Sequence, residues 1–180
     1  MKKMNRAQHL LALAACTAAL AATGAIANPL RWAAAGDPQT MDPHSQNEGL
    51  TNSVNSQVYE FLMIRDKKLK LGPGLATEWK QIDSLTWQFK LRQGVKFHDG
   101  SPFTADDVVF SIERARAPTS QIRVYASQSG VARKIDTHTV EFKLPQVNPI
   151  FLDHVNQIMI MSKSWSEKNN CTTPLDYKNK

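Results

Sequence analysis

Between Leu85 and Arg114 the order of apolar and polar residues changes period, and each change predicts a new element. Leu85, Trp87, Phe89 and Leu91 alternate with Thr86, Gln88, Lys90 and Arg92; a period of two puts one set on each face of a β-strand. Gly94 interrupts the strand, residues 95–97 form a short extended run, and Asp99-Gly100 is a turn dipeptide. The period then becomes helical. Thr104 stands as an N-cap with Asp107 three residues on, an acidic form of the capping box, and Ala105, Val108, Val109 and Ile112 follow at helical spacing. Strand, turn, short strand, tight loop and capped helix are expected in that order.

The flanks are less regular. Val140, Phe142 and Leu144 alternate with Glu141 and Lys143 after residues 131–135 and the turn Asp136-Thr137-His138, which predicts a second hairpin. Upstream, residues 30–35 read as a short apolar strand ended by Gly36-Asp37-Pro38. Met41-Asp42-Pro43-His44 is a further turn, with Asp42 expected to shape it as an Asx turn. Past a polar loop at 46–51, Val54, Val58, Phe61, Leu62 and Arg65 share a helical face. Gly72-Pro73-Gly74 argues against regular structure until Leu75, Ala76 and Trp79 re-enter the core. Residues 122–129 read as irregular, 150–155 as a short helix and 158–161 as a short strand. The stretch 162–180 is polar and weakly periodic, with no core-forming element, so the ordered core is expected within residues 75–161.

Charge changes the picture at one end. Lys2, Lys3 and Arg6 precede an uncharged stretch from Leu10 that closes on Ala25-Ile26-Ala27, the pattern of a cleavable secretory signal over residues 1–27. Leu13-Ala14-Ala15-Cys16 resembles a lipoprotein processing box, an alternative that would lipidate Cys16. Half of the formal net charge of +6 lies in this segment. The remainder is too mild for a nucleic-acid protein, and no basic stripe interleaved with aromatics accompanies it. Of two cysteines one is Cys16, which leaves Cys171 without a partner for a disulfide in the mature chain. Stability must then come from a packed core, which four tryptophans and 42% hydrophobic residues make feasible.

Candidate chemistry is sparse. His44, His98, His138 and His154 are scattered, with no i, i+4 pair and no cysteine companion, so no metal site is expected. Asp99 beside His98 is explained by its turn, and Asp106-Asp107 by capping and the helix dipole. There is no Gly-x-Ser-x-Gly and no phosphate loop. An enzyme is not expected, and no cofactor is implied.

The run from Leu91 to Val108, LRQGVKFHDGSPFTADDV, closely resembles the signature region of the family 5 extracytoplasmic solute-binding proteins. These are the peptide, oligopeptide, glutathione and nickel receptors of bacterial ABC importers. Leu75-Ala76 with Trp79 matches the family's "Pro-x-Leu-Ala-x-x-Trp" element, and Met41-Asp42-Pro43 its opening turn. Tyr59-Glu60-Phe61-Leu62 resembles its "Tyr/Phe-Glu-Gly-Leu" helix ending, with Phe61 in place of glycine. The signature residues build a hairpin and the helix on it, so they mark the fold and say little about substrate.

The resemblance implies a mixed α/β fold, the N-terminal part of a two-lobed periplasmic-binding-protein fold that is incomplete in this chain. Residues 28–66 would supply the opening strand and helix of lobe one, 67–162 a smaller inserted α/β domain, and 163–180 a polar tail. That tail would lead to the return into lobe one, where relatives carry a Gly-Thr-Gly-Pro-Tyr motif that is not found by Lys180. In peptide-binding relatives the loop after the Asp-Pro turn and an aromatic residue before the second hairpin meet the ligand. Here those positions are Asn47, Glu48, Gly49 and Leu50, and Tyr125. The implied partners are a peptide or similar small solute and an inner-membrane ABC permease, with no nucleic acid, a monomeric state and a periplasmic location. A copy of this length would be truncated and impaired in binding. The alternative is a secreted sensor or chaperone-like peptide holder that reuses the domain without transport.

Overall fold

In the computed structural model, which describes residues 33–176, the alternating run after Leu85 becomes the strand on which the others are laid. In chain order the elements are α1 (Gly49–Asn55), β1 (Met63–Arg65), β2 (Leu71–Pro73), β3 (Ala76–Asp83), β4 (Thr86–Leu91), α2 (Ala105–Ala115), α3 (Arg123–Gln128), β5 (Val131–Asp136), β6 (Thr139–Lys143), α4 (Phe151–Val155) and α5 (Lys163–Lys168). All lie in one unit, Ala35–Lys180. β1 and β2 form a two-stranded antiparallel ribbon, and the remaining strands form a four-stranded antiparallel sheet in the order β3-β4-β6-β5. Among the described residues no helix is long and apolar enough to cross a membrane.

The pairing puts the apolar sets on one face. Trp79 opposes Phe89, which opposes Val140; Trp87 opposes Phe142, which opposes Ala132. Phe89, Val140 and Phe142 are fully buried. Phe151 of α4 sits among them, its ring centroid 5.4 Å from Trp87, 5.5 Å from Phe142 and 6.1 Å from Phe89. α2 covers the β5 side through Ala105, Val108, Ile112 and Ala115, all fully buried. The helix starts where the capping box predicts: Thr104 N donates to Asp107 Oδ2 at 2.8 Å. Asp107 does more than cap, because its Oδ1 also accepts from Lys163 N. Asp106 pairs with Lys134 at 2.6 Å.

The two hairpins, the Asp99-Gly100 turn, α2 and α4 follow the expected pattern, and six other expectations are corrected. The helix read through residue 65 stops at Asn55. Leu62 and Met63 are fully buried by a different route, because Phe61 O and Leu62 O accept from Leu75 N and Ala76 N in an extended segment. That approach is close enough to demand a glycine: a Cβ on Gly74 would lie 2.7 Å from Phe61 O. Gly72 and Pro73 do belong to a strand, but to the edge of a two-stranded ribbon, where a missing N–H is tolerated. Residues 122–129 contain α3. Residues 158–161 are buried and extended but form no strand; Ile160 N donates to Glu60 O and Met161 N to Ser111 Oγ. The stretch after 162 supplies α5, capped by Ser162 Oγ and seated on the fully buried Ser166. Of the strand expected at 30–35, residues 33–35 are exposed and form no strand, while residues 30–32 lie outside the described residues, as do residues 1–27.

Candidate functional site

The most connected polar cluster is built around Arg114, on the last turn of α2. Its side chain is 2% exposed, and a buried guanidinium requires acceptors for five N–H groups. Each N–H finds one. Nη1 donates to Asp42 Oδ1 at 2.8 Å and to His44 Nδ1 at 3.1 Å. Nη2 donates to Asp42 Oδ2 at 2.8 Å and to Thr173 O at 3.2 Å. Nε donates to Cys171 O at 2.9 Å. The paired Nη–Oδ bonds are the bidentate geometry that fixes orientation as well as attraction.

Asp42 is filled to the same degree. Oδ1 also accepts from His44 N at 3.0 Å, the expected Asx turn, and Oδ2 from Leu175 N at 3.2 Å. Burial alone would raise its pKa, but the bonds and charge of Arg114 outweigh burial and hold the carboxyl far below the usual carboxylate range. His44 is fully buried. Its Nε2 lies 2.9 Å from Met159 O, an obligate acceptor, so Nε2 carries the proton and Nδ1 is free to accept from Arg114. Burial first, and then the Arg114 charge, lower its pKa to about 4. Around the pair, Tyr59 donates its hydroxyl to Met41 O, and burial followed by the Asp42 charge raises its pKa.

Chemically this cluster holds backbone. His44 O accepts from Gln121 N and Ser120 Oγ, and Thr119 Oγ1 donates to Pro174 O. Four stretches far apart in sequence, around residues 42–44, 119–121, 159 and 171–175, are thereby fixed to the end of α2. Among the described residues the cluster brings no nucleophile into reach of His44, whose two nitrogens are both occupied. Sequence reasoning found the Asp42 turn and missed the cation 72 residues away. The available signal was a polar ridge, Asp107, Ser111 and Arg114, on the inward side of an amphipathic helix.

The candidate ligand residues follow closely after two of the anchored stretches. Asn47 Oδ1 accepts from Asn52 Nδ2. Glu48 is the N-cap of α1: its carboxylate accepts from Thr51 N, Leu50 N and Thr51 Oγ1, bonds that lower its pKa. Gly49 opens α1, and a Cβ there would meet nothing within 4 Å. Leu50 is half-buried. Tyr125 lies on α3 with its ring 6.0 Å from that of His154, partly buried against the core. What joins the two groups is the His44–Gln121 bond, three residues before Asn47 and four before Tyr125.

An apolar cleft of about 310 Å³ lies elsewhere, between Tyr59, Phe97, Phe103, Met161 and Trp165, and contains none of the candidate residues. His98 and Asp99 reach its rim, but Asp99 is engaged by Ser101 N and Oγ, as its turn predicts. Among the described residues no group of three or more His, Cys, Asp and Glu could hold a metal ion.

Residues 70–177 match the model of the bacterial extracellular solute-binding proteins, family 5 middle region. The glutathione-binding protein GsiB of Escherichia coli (strain K12) is 33% identical over 156 residues, covering 83% of this chain and 30% of that protein. NikZ from Campylobacter jejuni, solved with Ni(L-His), superposes with a TM-score of 0.66 at 29% identity, over 77% of this chain and 28% of that one. The oligopeptide-binding protein AppA from Bacillus subtilis, solved with a nonapeptide, gives 0.67 at 27%, over 74% and 27%. The chain thus spans about 30% of the length of these relatives, and they are binding proteins. With the signature hairpin, α2 and the four-stranded sheet all in place, the chain belongs to the family 5 bacterial extracellular solute-binding proteins.

Proposed function

We propose that this chain is part of the substrate-binding component of an ABC importer, which captures peptides or similar small solutes in the periplasm and hands them to an inner-membrane permease. The family match over residues 70–177 carries the reading, and relatives named for glutathione or solved with a nonapeptide or with Ni(L-His) support a small-solute ligand. In this reading residues 67–162 are the smaller inserted domain, residues 1–27 direct export, and the protein acts as a monomer. Asn47, Glu48, Gly49, Leu50 and Tyr125 line one wall of the ligand cleft. Glu48 serves there through its backbone, because its carboxylate is engaged in the α1 cap.

Small-solute sites bury most of the ligand between converging surfaces, so one wall alone binds weakly. Calorimetric titration of the 180-residue chain with glutathione, a tripeptide, a nonapeptide and Ni(L-His) is expected to show millimolar affinity for one of these classes, lowered further by Tyr125→Ala. Deletion of the gene is expected to reduce uptake of the same radiolabelled solute. Heats of zero for all four, together with unchanged uptake, would overturn the reading.

A further inference from the structure

The cluster that anchors the Asp42 turn contains one titratable group with no room for a second proton. His44 Nδ1 accepts from Arg114 Nη1 at 3.1 Å, Nε2 faces Met159 O at 2.9 Å, and the ring is fully buried. A proton on Nδ1 would point an N–H at an N–H and place two cations in contact without solvent between them. The Asp42 charge offsets this only in part, since both its oxygens already take two bonds each.

We propose that His44 makes the Asp42–Arg114 clamp acid-labile: while the ring is neutral the clamp holds the stretches around residues 44, 121, 159 and 171–175 on α2, and protonation of Nδ1 releases the turn that leads into residues 47–50.

The charged groups that face His44 are Arg114 from α2 and Asp42 from its own turn. Tyr59, after α1, and Cys171, after α5, lie around the same pair. Arg114 keeps its charge throughout, Asp42 titrates far below its ordinary range, and Tyr59 above its own. His44 is therefore the group that changes charge first on acidification, and its lowered pKa of about 4 agrees with the geometry. Glu48 titrates close by in sequence, but its bonds go to Leu50 and Thr51 of α1.

The clamp is separable from the solute reading because its readouts need no ligand. Long-range ¹H–¹⁵N NMR of the 180-residue chain reports the tautomer and titration of His44. The Arg114 Nε–H and the amides of Gln121 and Leu175 report the clamp, away from Glu48. The expected result is a neutral Nε2–H ring at pH 6, a midpoint near 4, and all three reporters moving with it. In His44→Gln, whose amide can both donate to Met159 O and accept from Arg114, those reporters should stay flat between pH 6.5 and 4. A His44 midpoint near 6.5 or reporters that ignore the midpoint would each overturn the proposal, as would a Gln variant that keeps the wild-type transition. The wild-type titration decides the matter even if the variant does not fold.

Discussion

Arg114 uses all five of its donors, which sets what may replace it. Arg114→Lys leaves three donors on one point charge and strands at least one carbonyl or carboxylate oxygen. Arg114→Ala leaves Asp42 buried without its partner, a loss of about 3–5 kcal/mol. Urea denaturation should rank the variants wild type, then Lys, then Ala. Acidity acts at the same place. His44 has its folded pKa lowered from 6.5 to about 4, so the unfolded chain binds the proton first. Its contribution is complete above pH 6.5 and is lost as pH falls toward 4, up to about 3 kcal/mol. Asp42, also lowered, contributes above its ordinary 3.8 and loses that contribution below it. Unfolding midpoints measured from pH 7 to 4 should therefore fall, and the fall should shrink in His44→Gln. At this scale the Asx turn was legible, since it needs only Asp42 and a residue two places on. Its partner was not, because a pairing over 72 positions leaves no local trace.

Elements whose burial pattern is continuous and one-sided were legible, and elements that tertiary contacts impose were not. β4 and α2 each keep one apolar period in sequence, although Thr86 of β4 is buried as well, and α2 adds a cap readable from Thr104 and Asp107. Residues 54–65 carry apolar positions at helical spacing, yet the second half is buried by pairing with residues 75–76, a demand invisible in the spacing itself. α3 is six residues long and has no side-chain cap, so nothing local announces it. Two glycines separate backbone preference from crowding. Gly94 has φ 73° and open space within 4 Å of where a methyl group would stand, whereas Gly130 has φ 76° and Lys143 O only 2.1 Å from that point. Gly94→Ala should cost about 1–2 kcal/mol, the penalty of the left-handed backbone. Gly130→Ala should cost about 3 kcal/mol or more, because β6 backbone must also move. Thermal melts of the two variants test the difference.

For the molecule as a whole, the mixed α/β class and the family were legible because the signature residues build the fold itself. The solute was not, because Asn47, Glu48, Gly49, Leu50 and Tyr125, the residues proposed to meet it, form no pattern that selects one solute class. The core converges on Phe151, and Phe151→Ala should cost about 3–5 kcal/mol by calorimetry while leaving both hairpins their turns. The order β3-β4-β6-β5 has a kinetic consequence. Its outer pairs are hairpins that close locally within microseconds, whereas β4–β6 must bring Thr86 beside Lys143 across all of α2 and α3. Stopped-flow refolding should be slowed by Val140→Ala in that ladder more than by Thr77→Ala at the outer strand. During synthesis the aromatic cluster of Trp87, Phe89 and Phe142 then stays open to water until Phe151 has left the ribosome, so the sheet is made well before the ring that covers it.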